Sequence, residues 1–252
     1  VKVLQRNTPT PFLSIVIPVF NEEKRIGKSL DVITEYLQRQ SYSYELLLVD
    51  DGSTDRTFDI CQVFANKHEW ARVIRHSKNH GKGCAVRTGV LNVSGEYVLV
   101  CDADLATPIE ELNKFWNYLE DGADIVIASR PLRESRLIRR QPWYRELAGR
   151  AFNLVVRLVA VPGIHDTQCG FKLFSRKAID AVFPLCFIND FGFDIEVLYL
   201  ALKLGFRIKE VPVCWYHQQG SKVHLIKDGL RMLIDLPKIL ISHRGVGSYE
   251  NQ

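Results

Sequence analysis

Glu45-Leu46-Leu47-Leu48-Val49 runs directly into Asp50-Asp51-Gly52-Ser53-Thr54-Asp55, and Tyr97-Val98-Leu99-Val100-Cys101 runs into Asp102-Ala103-Asp104. Each is an apolar run of strand length that ends in acids. A carboxylate beside a hydrophobic strand is costly unless a cation or hydrogen-bond donors meet it. Two strands of one parallel sheet ending this way gather four acids, Asp50, Asp51, Asp102 and Asp104, at one edge. That edge is where open α/β sheets bind ligands. A divalent cation carrying a nucleotide diphosphate is the economical account of so much negative charge.

The sequence around these runs supplies the rest of the sheet. Leu13 to Val19 is another apolar run, followed by the turn Phe20-Asn21-Glu22-Glu23 and a helical stretch to about Gln40. Tyr44 to Val49 is the second strand, and Ser53 is placed to cap a helix from Thr54 towards Lys67, with Asp55 favourable in its first turn. Val73 to His76 reads as a strand, Cys84 to Val93 as a helix and Tyr97 to Cys101 as a strand; Pro108 opens a helix over Ile109 to Leu119. Asp124 to Ala128, Gly170 to Phe174 and Ile208 to Val213 are strand-like, and Asp194 to Lys203 is helical. Such alternation with short connections predicts an α/β fold, a mostly parallel, doubly wound sheet flanked by helices.

At 252 residues, 46% hydrophobic and 25% charged, the chain can bury a full core without metal or disulfide staples. The six cysteines are scattered with no C-x-x-C pair and several sit in apolar runs, which reads as reduced thiols on the cytosolic side. No secretory signal or apolar run of spanning length is present. The chain starts at Val1 rather than Met, which leaves room for an N-terminal piece ahead of it.

The net charge of +4 is mild, but its distribution is not even. Between Arg130 and Arg150 stand seven arginines against two glutamates, a solvated loop or lid leading into a helix around Ala148 to Val159. A plain surface mixes signs, so anionic lipid headgroups or an acceptor phosphate explain the bias slightly better. No aromatic-rich motif accompanies the charge, and nucleic acid ranks low as a partner. Further on, Val223 to Ile241 places Ile226, Leu230, Leu233, Ile234, Pro237 and Ile241 at helical spacing, accompanied by Lys222, Lys227, Arg231, Lys238 and Arg244. A helix packed on its own domain and a basic helix at a membrane surface would share this stripe, and the two readings stand even. The expected division is a catalytic body over 1–225 and an amphipathic C-terminal segment over 226–252.

Asp102 and Asp104 are two apart at a strand end, so extended geometry would point both carboxylates the same way. Hard oxygen ligands of this kind suit Mg²⁺ or Mn²⁺, with waters and diphosphate oxygens completing the shell. Alone, D-x-D is as easily a solvated acidic loop; the second acidic turn at a matching sheet position favours a site. Asp50 and Asp51 precede an Asp-Gly turn in which Ser53 is a natural cap. A cap uses one acceptor, however, and the surplus acids could accept from a nucleobase or ribose, with Pro18 to Glu22 as the opposite wall. Asn79-His80-Gly81-Lys82-Gly83 is a turn before a helix whose amides and Lys82 could hold phosphate, although it is not a Walker A sequence.

Taken together these segments resemble the family 2 glycosyltransferases of GT-A fold, specifically the polyprenyl-phosphate sugar synthases. The resemblance rests on Ser14-Ile15-Val16-Ile17-Pro18-Val19-Phe20-Asn21-Glu22-Glu23, Val49-Asp50-Asp51-Gly52-Ser53-Thr54-Asp55, Asn79-His80-Gly81-Lys82-Gly83, Asp102-Ala103-Asp104 and Ser129-Arg130. It continues through Asp166-Thr167-Gln168-Cys169-Gly170-Phe171-Lys172, Gly192-Phe193-Asp194-Ile195-Glu196 and Gly220-Ser221-Lys222-Val223, covering roughly residues 12 to 225 in family order. The wording Asp102-Ala103-Asp104-Leu105-Ala106-Thr107 and the phrase from Asp166 to Lys172 look closest to the dolichyl-phosphate β-glucosyltransferase branch. Related mannosyl enzymes carry a metal-binding Gln where this chain has Ala106, which weakens a transfer of GDP-mannose specificity.

The resemblance implies a nucleoside pocket at Pro18, Phe20, Glu22, Asp50 and Asp51, and a metal and diphosphate site at Asp102 and Asp104. It places Lys82 and Gln168 with the nucleotide-sugar, and Asp194 in a segment lining the sugar pocket. Arg130, Arg133, Arg145 and Lys222 would meet acceptor or donor phosphates. Asp102, Asp104, Arg130 and Asp194 carry the catalytic assignment. A phosphate monoester is already an anion and can attack the anomeric carbon without a general base, giving single displacement with inversion. A sugar hydroxyl acceptor would need one, and Asp194 or Glu196 is the candidate. The Q-x-x-R-W signature of processive synthases is replaced here by Gln218-Gln219-Gly220-Ser221-Lys222.

The expected activity is therefore transfer of a hexose, glucose from UDP-glucose, to polyprenyl or dolichyl phosphate at the cytoplasmic face of a membrane. GDP-mannose is the alternative donor within the family. A nucleotidyltransferase would release pyrophosphate and lacks its G-x-G-T-R-like opening here; a nucleotide-sugar sensor would bind donor without turnover.

Overall fold

The computed structural model describes residues 10–139, 143–218 and 225–247. Its elements, in chain order, are β1 (Leu13–Val19), α1 (Ile26–Gln38), β2 (Tyr44–Asp50), α2 (Thr57–Lys67), β3 (Ala71–Arg75), α3 (Lys82–Leu91) and β4 (Tyr97–Cys101). A 3₁₀ turn at Ile109–Glu111 leads into α4 (Leu112–Glu120), then β5 (Ile125–Ser129), β6 (Arg136–Arg139), α5 (Trp143–Val159), β7 (Phe171–Ser175) and α6 (Arg176–Val182). The remainder is α7 (Phe193–Lys203), β8 (Ile208–Pro212), β9 (Cys214–Tyr216) and α8 (Leu225–Ser242).

Seven strands form one sheet in the order β3-β2-β1-β4-β7-β5-β8, and β6 pairs with β9 in a separate parallel ribbon. The large sheet is parallel except for β7, which runs antiparallel to both β4 and β5. The expected mostly parallel α/β sheet, the GT-A architecture, is what forms. Both faces are covered, which is why the strands read as continuous apolar runs rather than alternating ones. Ile15, Ile17, Leu46 and Leu48 pack with Ile33, Leu37 and Phe115 on one side. Val16, Leu47, Val49 and Val100 pack with Val86, Val90, Ile179 and Leu198 on the other. Because β1 lies between β2 and β4, the acidic ends of those two strands emerge side by side at one edge.

Three local expectations are corrected. Ser53 does not cap α2, which begins at Thr57; its hydroxyl instead accepts from the Asn21 amide at 2.9 Å, and Asp55 accepts from Thr57 N–H at 2.9 Å. The arginine-rich segment is not a plain loop: β6 lies within it and α5 starts at Trp143. The C-terminal stripe points the other way. Met232, Leu236 and Ile239 face the main core, while Leu230, Leu233, Ile234 and Ile241 are exposed. The helix that begins at Leu225, next to the expected 225/226 division, packs its inner face on the main core.

Candidate active site

At the end of β2, Asp50 is fully buried; its carboxylate accepts from Ser53 N–H at 3.3 Å and pairs with Arg75 Nε at 3.2 Å. That environment makes it the anchor of the turn. Asp51 is nearly as buried and accepts from the amides of His80 (2.9 Å) and Gly81 (2.8 Å) and pairs with His76 Nδ1 (2.8 Å). It therefore holds the Lys78–Lys82 loop against the sheet edge. The two expected walls of the nucleoside pocket interlock: Thr54 N–H donates to Asn21 Oδ1 at 2.8 Å and Glu22 N–H to Thr57 Oγ1 at 2.6 Å. Pro18 and Phe20 are half-buried beside them. Glu22 is bound by Arg25, whose Nη2 donates to Glu22 Oε1 at 3.1 Å.

The strand β4 stops at Cys101, so a turn rather than a pleat brings Asp102 and Asp104 together. Leu105 holds that turn with φ of 45°, a conformation costly for a side chain with a Cβ. Ala106 stabilises it from both sides: its N–H donates to Asp104 Oδ1 at 3.0 Å and its carbonyl accepts from Tyr216 N–H at 2.8 Å. The Lys82 ammonium donates to Asp102 Oδ1 at 2.6 Å, and Arg25 Nη1 lies 3.9 Å from Asp104 Oδ2. Burial and then the neighbouring Asp102 charge raise the Asp104 pKa. Burial alone would lower the Lys82 pKa, but Asp102 and Asp194 outweigh it and the ammonium is held charged.

A second buried pair lies behind the first. Lys172 donates to Asp194 Oδ1 at 2.5 Å and to the Cys169 carbonyl at 2.5 Å, and it lines a cleft with Lys82, Gly170, Phe193 and Asp194. Burial raises the Asp194 pKa, only partly offset by Lys172 and Lys82. Positive and negative groups thus alternate from Asp102 through Lys82 and Asp194 to Lys172. Glu196, the other candidate base, faces away: it is fully buried and accepts from Phe187 and Ile188 amides and from His243.

Arg130 is committed to Asp166. Its backbone N–H, Nε and Nη2 donate to that carboxylate at 3.0, 2.7 and 2.8 Å, and the guanidinium stacks over Trp215. Burial would lift the Asp166 pKa, but Arg130 more than reverses this and holds it low. The Gln168 backbone N–H also donates to Asp166 Oδ1, at 3.2 Å. Arg130→Ala leaves Asp166 buried without its partner, at a cost of about 3–5 kcal/mol, read by urea denaturation at neutral pH. Acid should erase the difference, since a carboxyl with a lowered folded pKa gives up its stabilisation as pH falls through that value.

The structure therefore brings together Lys82, Asp102, Asp104 and Asp194 of the expected residues, and keeps Arg130 and Gln168 nearby in a positioning network. Arg133 is exposed on the arm before β6. The Arg145 side chain and Lys222 lie outside the described residues. Sequence reading missed Arg25 and gave no role to Asp166 or Lys172, which it met only within a matching segment. A lysine inside the apolar strand Phe171-Lys172-Leu173-Phe174 was the available signal, because a buried ammonium requires an acid opposite it.

The sequence profile described as glycosyl transferase family 2 matches residues 14–183. The chain belongs to this family. As a family 2 glycosyltransferase it is an enzyme, and its curated relatives cover nearly all of it. The human dolichyl-phosphate beta-glucosyltransferase is 37% identical over 91% of this chain and 75% of its own length. Those of Dictyostelium discoideum and Saccharomyces cerevisiae are 35% and 34% identical over 90% and 92% of this chain, and 73% and 75% of their own lengths. Among solved structures, glucosyl-3-phosphoglycerate synthase from Mycobacterium tuberculosis with bound UDP superposes with a TM-score of 0.68, at 22% identity, covering 92% of this chain and 80% of that one. The same enzyme with Mn²⁺ and UDP-glucose gives 0.68 at 21% identity, over 92% and 79% of the two chains. These structures establish the shared fold.

Proposed function

We propose that this glycosyltransferase moves glucose from UDP-glucose to dolichyl phosphate, or a related polyprenyl phosphate, with inversion at the anomeric carbon. The observation that carries the donor and acceptor is identity of 34–37% over at least nine-tenths of the chain to dolichyl-phosphate beta-glucosyltransferases. The geometry supports it. Asp102 and Asp104 lie a turn apart at the sheet edge with Lys82 beside them, a positive group within reach of a diphosphate.

The residues also fit a divalent cation, Mg²⁺ or Mn²⁺. Among the described residues no cluster of three or more His, Cys, Asp or Glu forms a protein cage, so Asp102 and Asp104 are a two-carboxylate set. That is the donor set expected when phosphate oxygens and waters complete the coordination. Burial and then the Asp102 charge raise the Asp104 pKa, and a bound cation would offset both. When bound, it would neutralise charge developing on the leaving UDP. Lys82 adds a fixed positive charge on the same side. A phosphate oxygen of the lipid attacks the anomeric carbon, the carbon–oxygen bond to UDP breaks, and UDP leaves with the electron pair. No proton has to be removed from the nucleophile, which suits a site where Asp194 is tied to Lys172 and Glu196 is turned inward.

The lipid acceptor also gives meaning to the exposed apolar residues of α5 and α8, two neighbouring helices. Leu147, Leu154 and Leu158 of α5 and Leu230, Ile234 and Ile241 of α8 are exposed, and no helix among the described residues is long and apolar enough to cross a membrane. We read the pair as a peripheral platform at the cytoplasmic face, a setting that six free thiols suit. Leu158→Glu combined with Ile241→Glu should weaken binding to anionic vesicles by more than about tenfold, since each apolar side chain contributes about 1.5–3 kcal/mol on burial. Turnover on a short, soluble polyprenyl phosphate should persist in that variant; unchanged vesicle sedimentation would remove the platform.

The deciding assay incubates the protein with Mg²⁺ or Mn²⁺, a short polyprenyl phosphate and either UDP-glucose or GDP-mannose. Lipid-linked glucose with released UDP is the expected result. Mannose transfer would overturn the donor, pyrophosphate release would indicate a nucleotidyltransferase, and donor binding without transfer would indicate a sensor.

A further inference from the structure

Outside the acidic edge, Glu196 on α7 is a fully buried acid, its side chain 0% exposed, with both carboxylate oxygens hydrogen-bonded. Its Oε1 meets His243 Nε2 of α8 at 2.8 Å, its Oε2 accepts from Ile188 N–H at 2.8 Å, and Phe187 N–H is shared at 3.1 Å. A charged acceptor in a dry site fixes its donors strongly. The donors here are consecutive amides of the 186–190 loop and the end of the helix with the exposed apolar face.

That loop is the floor of the first turn of α3. The Cys84 N–H donates to the Asn189 carbonyl at 3.0 Å, and Arg87 clamps the Cys186 carbonyl at 3.0 Å and Asn189 Oδ1 at 2.8 Å. The approach is close enough to exclude side chains: a Cβ on Gly83 would lie 2.6 Å from the Ile188 carbonyl, and one on Gly81 would lie 2.7 Å from Asp190 Oδ1. Between those glycines stands Lys82, which holds Asp102. A second tie, Arg231 Nη1 to Asp190 Oδ2 at 3.0 Å, joins α8 to the same loop.

We propose that Glu196, braced by His243, is a positioning residue for the donor diphosphate: it fixes the 186–190 loop on which Lys82 rests. The proposal rests on the reading of Lys82 as a diphosphate contact. It predicts a loss confined to the phosphates, whereas a general structural role would weaken every part of the ligand.

The test is displacement of a fluorescent UDP analogue by UDP and by uridine, with Mn²⁺ present, from the full chain and its variants. Glu196→Gln should weaken UDP about tenfold and leave uridine unchanged; His243→Phe, which keeps a ring but no donor, should weaken UDP about threefold. Glu196→Gln in a Lys82→Met background should cost nothing further, because the positioned group is gone. Parallel losses of UDP and uridine, unchanged UDP affinity in both single variants, or additive losses in the double variant would each overturn the proposal. Should Glu196→Gln fail to fold, His243→Phe carries the same comparison. Absence of UDP binding by the unaltered protein would instead overturn the nucleotide-sugar reading itself, and the proposal with it.

Discussion

Asp104→Ala should lose at least about 10³-fold in metal-dependent glucosyl transfer, with little loss of stability. The rate effect follows from the transition state: a cation and its carboxylate seat together supply several kcal/mol of charge stabilisation, and about 4 kcal/mol is about 10³-fold. The stability effect follows from the site's own electrostatics. Burial and the Asp102 charge raise the Asp104 pKa, so its ionised form is penalised in the folded protein. A carboxyl whose folded pKa is raised binds protons more readily when folded; above that value its charge costs stability, and the cost fades as pH falls. Removing the group therefore relieves its desolvation and the Asp102 repulsion at neutral pH, which offsets the loss of its bond from Ala106 N–H. A thermal melt of metal-free protein checks the second half, and lipid-linked glucose formed per unit time the first. Near-normal turnover would sink the assignment of Asp104.

The sheet was legible because its strands are buried on both faces and bounded by turn chemistry. Leu13–Val19 and Tyr97–Cys101 come out with the expected limits. Three short elements were not: β6 lies inside the arginine-rich segment read as a loop, α6 follows β7 without a break, and β9 is three residues long, too short for any periodicity to register. The acids at the sheet edge were legible as a group but not in their division of labour. Asp50 and Asp51 look alike in sequence to Asp102 and Asp104, yet the first two are consumed by amides, Arg75 and His76, and the latter pair keeps more exposure. For Asp51 that distinction depends on which amides of the Asn79–Lys82 turn point inward, and for Asp50 on Ser53 N–H and Arg75, rather than on the acids themselves. Arg130 shows the same limit. Its position beside an arginine-rich segment suggests phosphate, but Asp166, distant in sequence, reaches it first.

The amphipathic helix illustrates a different limit. Both readings of its stripe assumed one apolar face, whereas α8 has two: an inner seam of Met232, Leu236 and Ile239 and an outer set at Leu230, Leu233, Ile234 and Ile241. A helix apolar on two sides is the expected design when one side must meet a protein core and the other a second apolar phase. The buried His243 at its end, bonded to Glu196, marks which side is the protein's.

Gly170→Ala should reduce kcat/KM for UDP-glucose by about 10²-fold without loss of the fold, and the reason is proximity rather than backbone freedom. A Cβ built on Gly170 would intrude into the Asp102 carboxylate, 2.5 Å from Oδ1 and closer still to its other atoms. Real Cβ atoms do not tolerate such contacts, so one partner must move. Gly170 is held by its neighbours, because Lys172 grips the Cys169 carbonyl and Cys101 pairs with Phe171 across β4 and β7. The Asp102 side chain is the freer partner and will swing, carrying the Lys82 contact with it. Displacing a reacting-site group by about 1 Å costs about 10²-fold through lost alignment. The dependence on Mn²⁺ concentration separates this from a folding defect: saturation should require more metal in the variant, while the urea midpoint stays near the parent's. Parental metal affinity together with parental turnover would mean that Asp102 does not occupy the reacting centre. A lowered urea midpoint with unchanged metal dependence would mean that Gly170 serves the sheet alone.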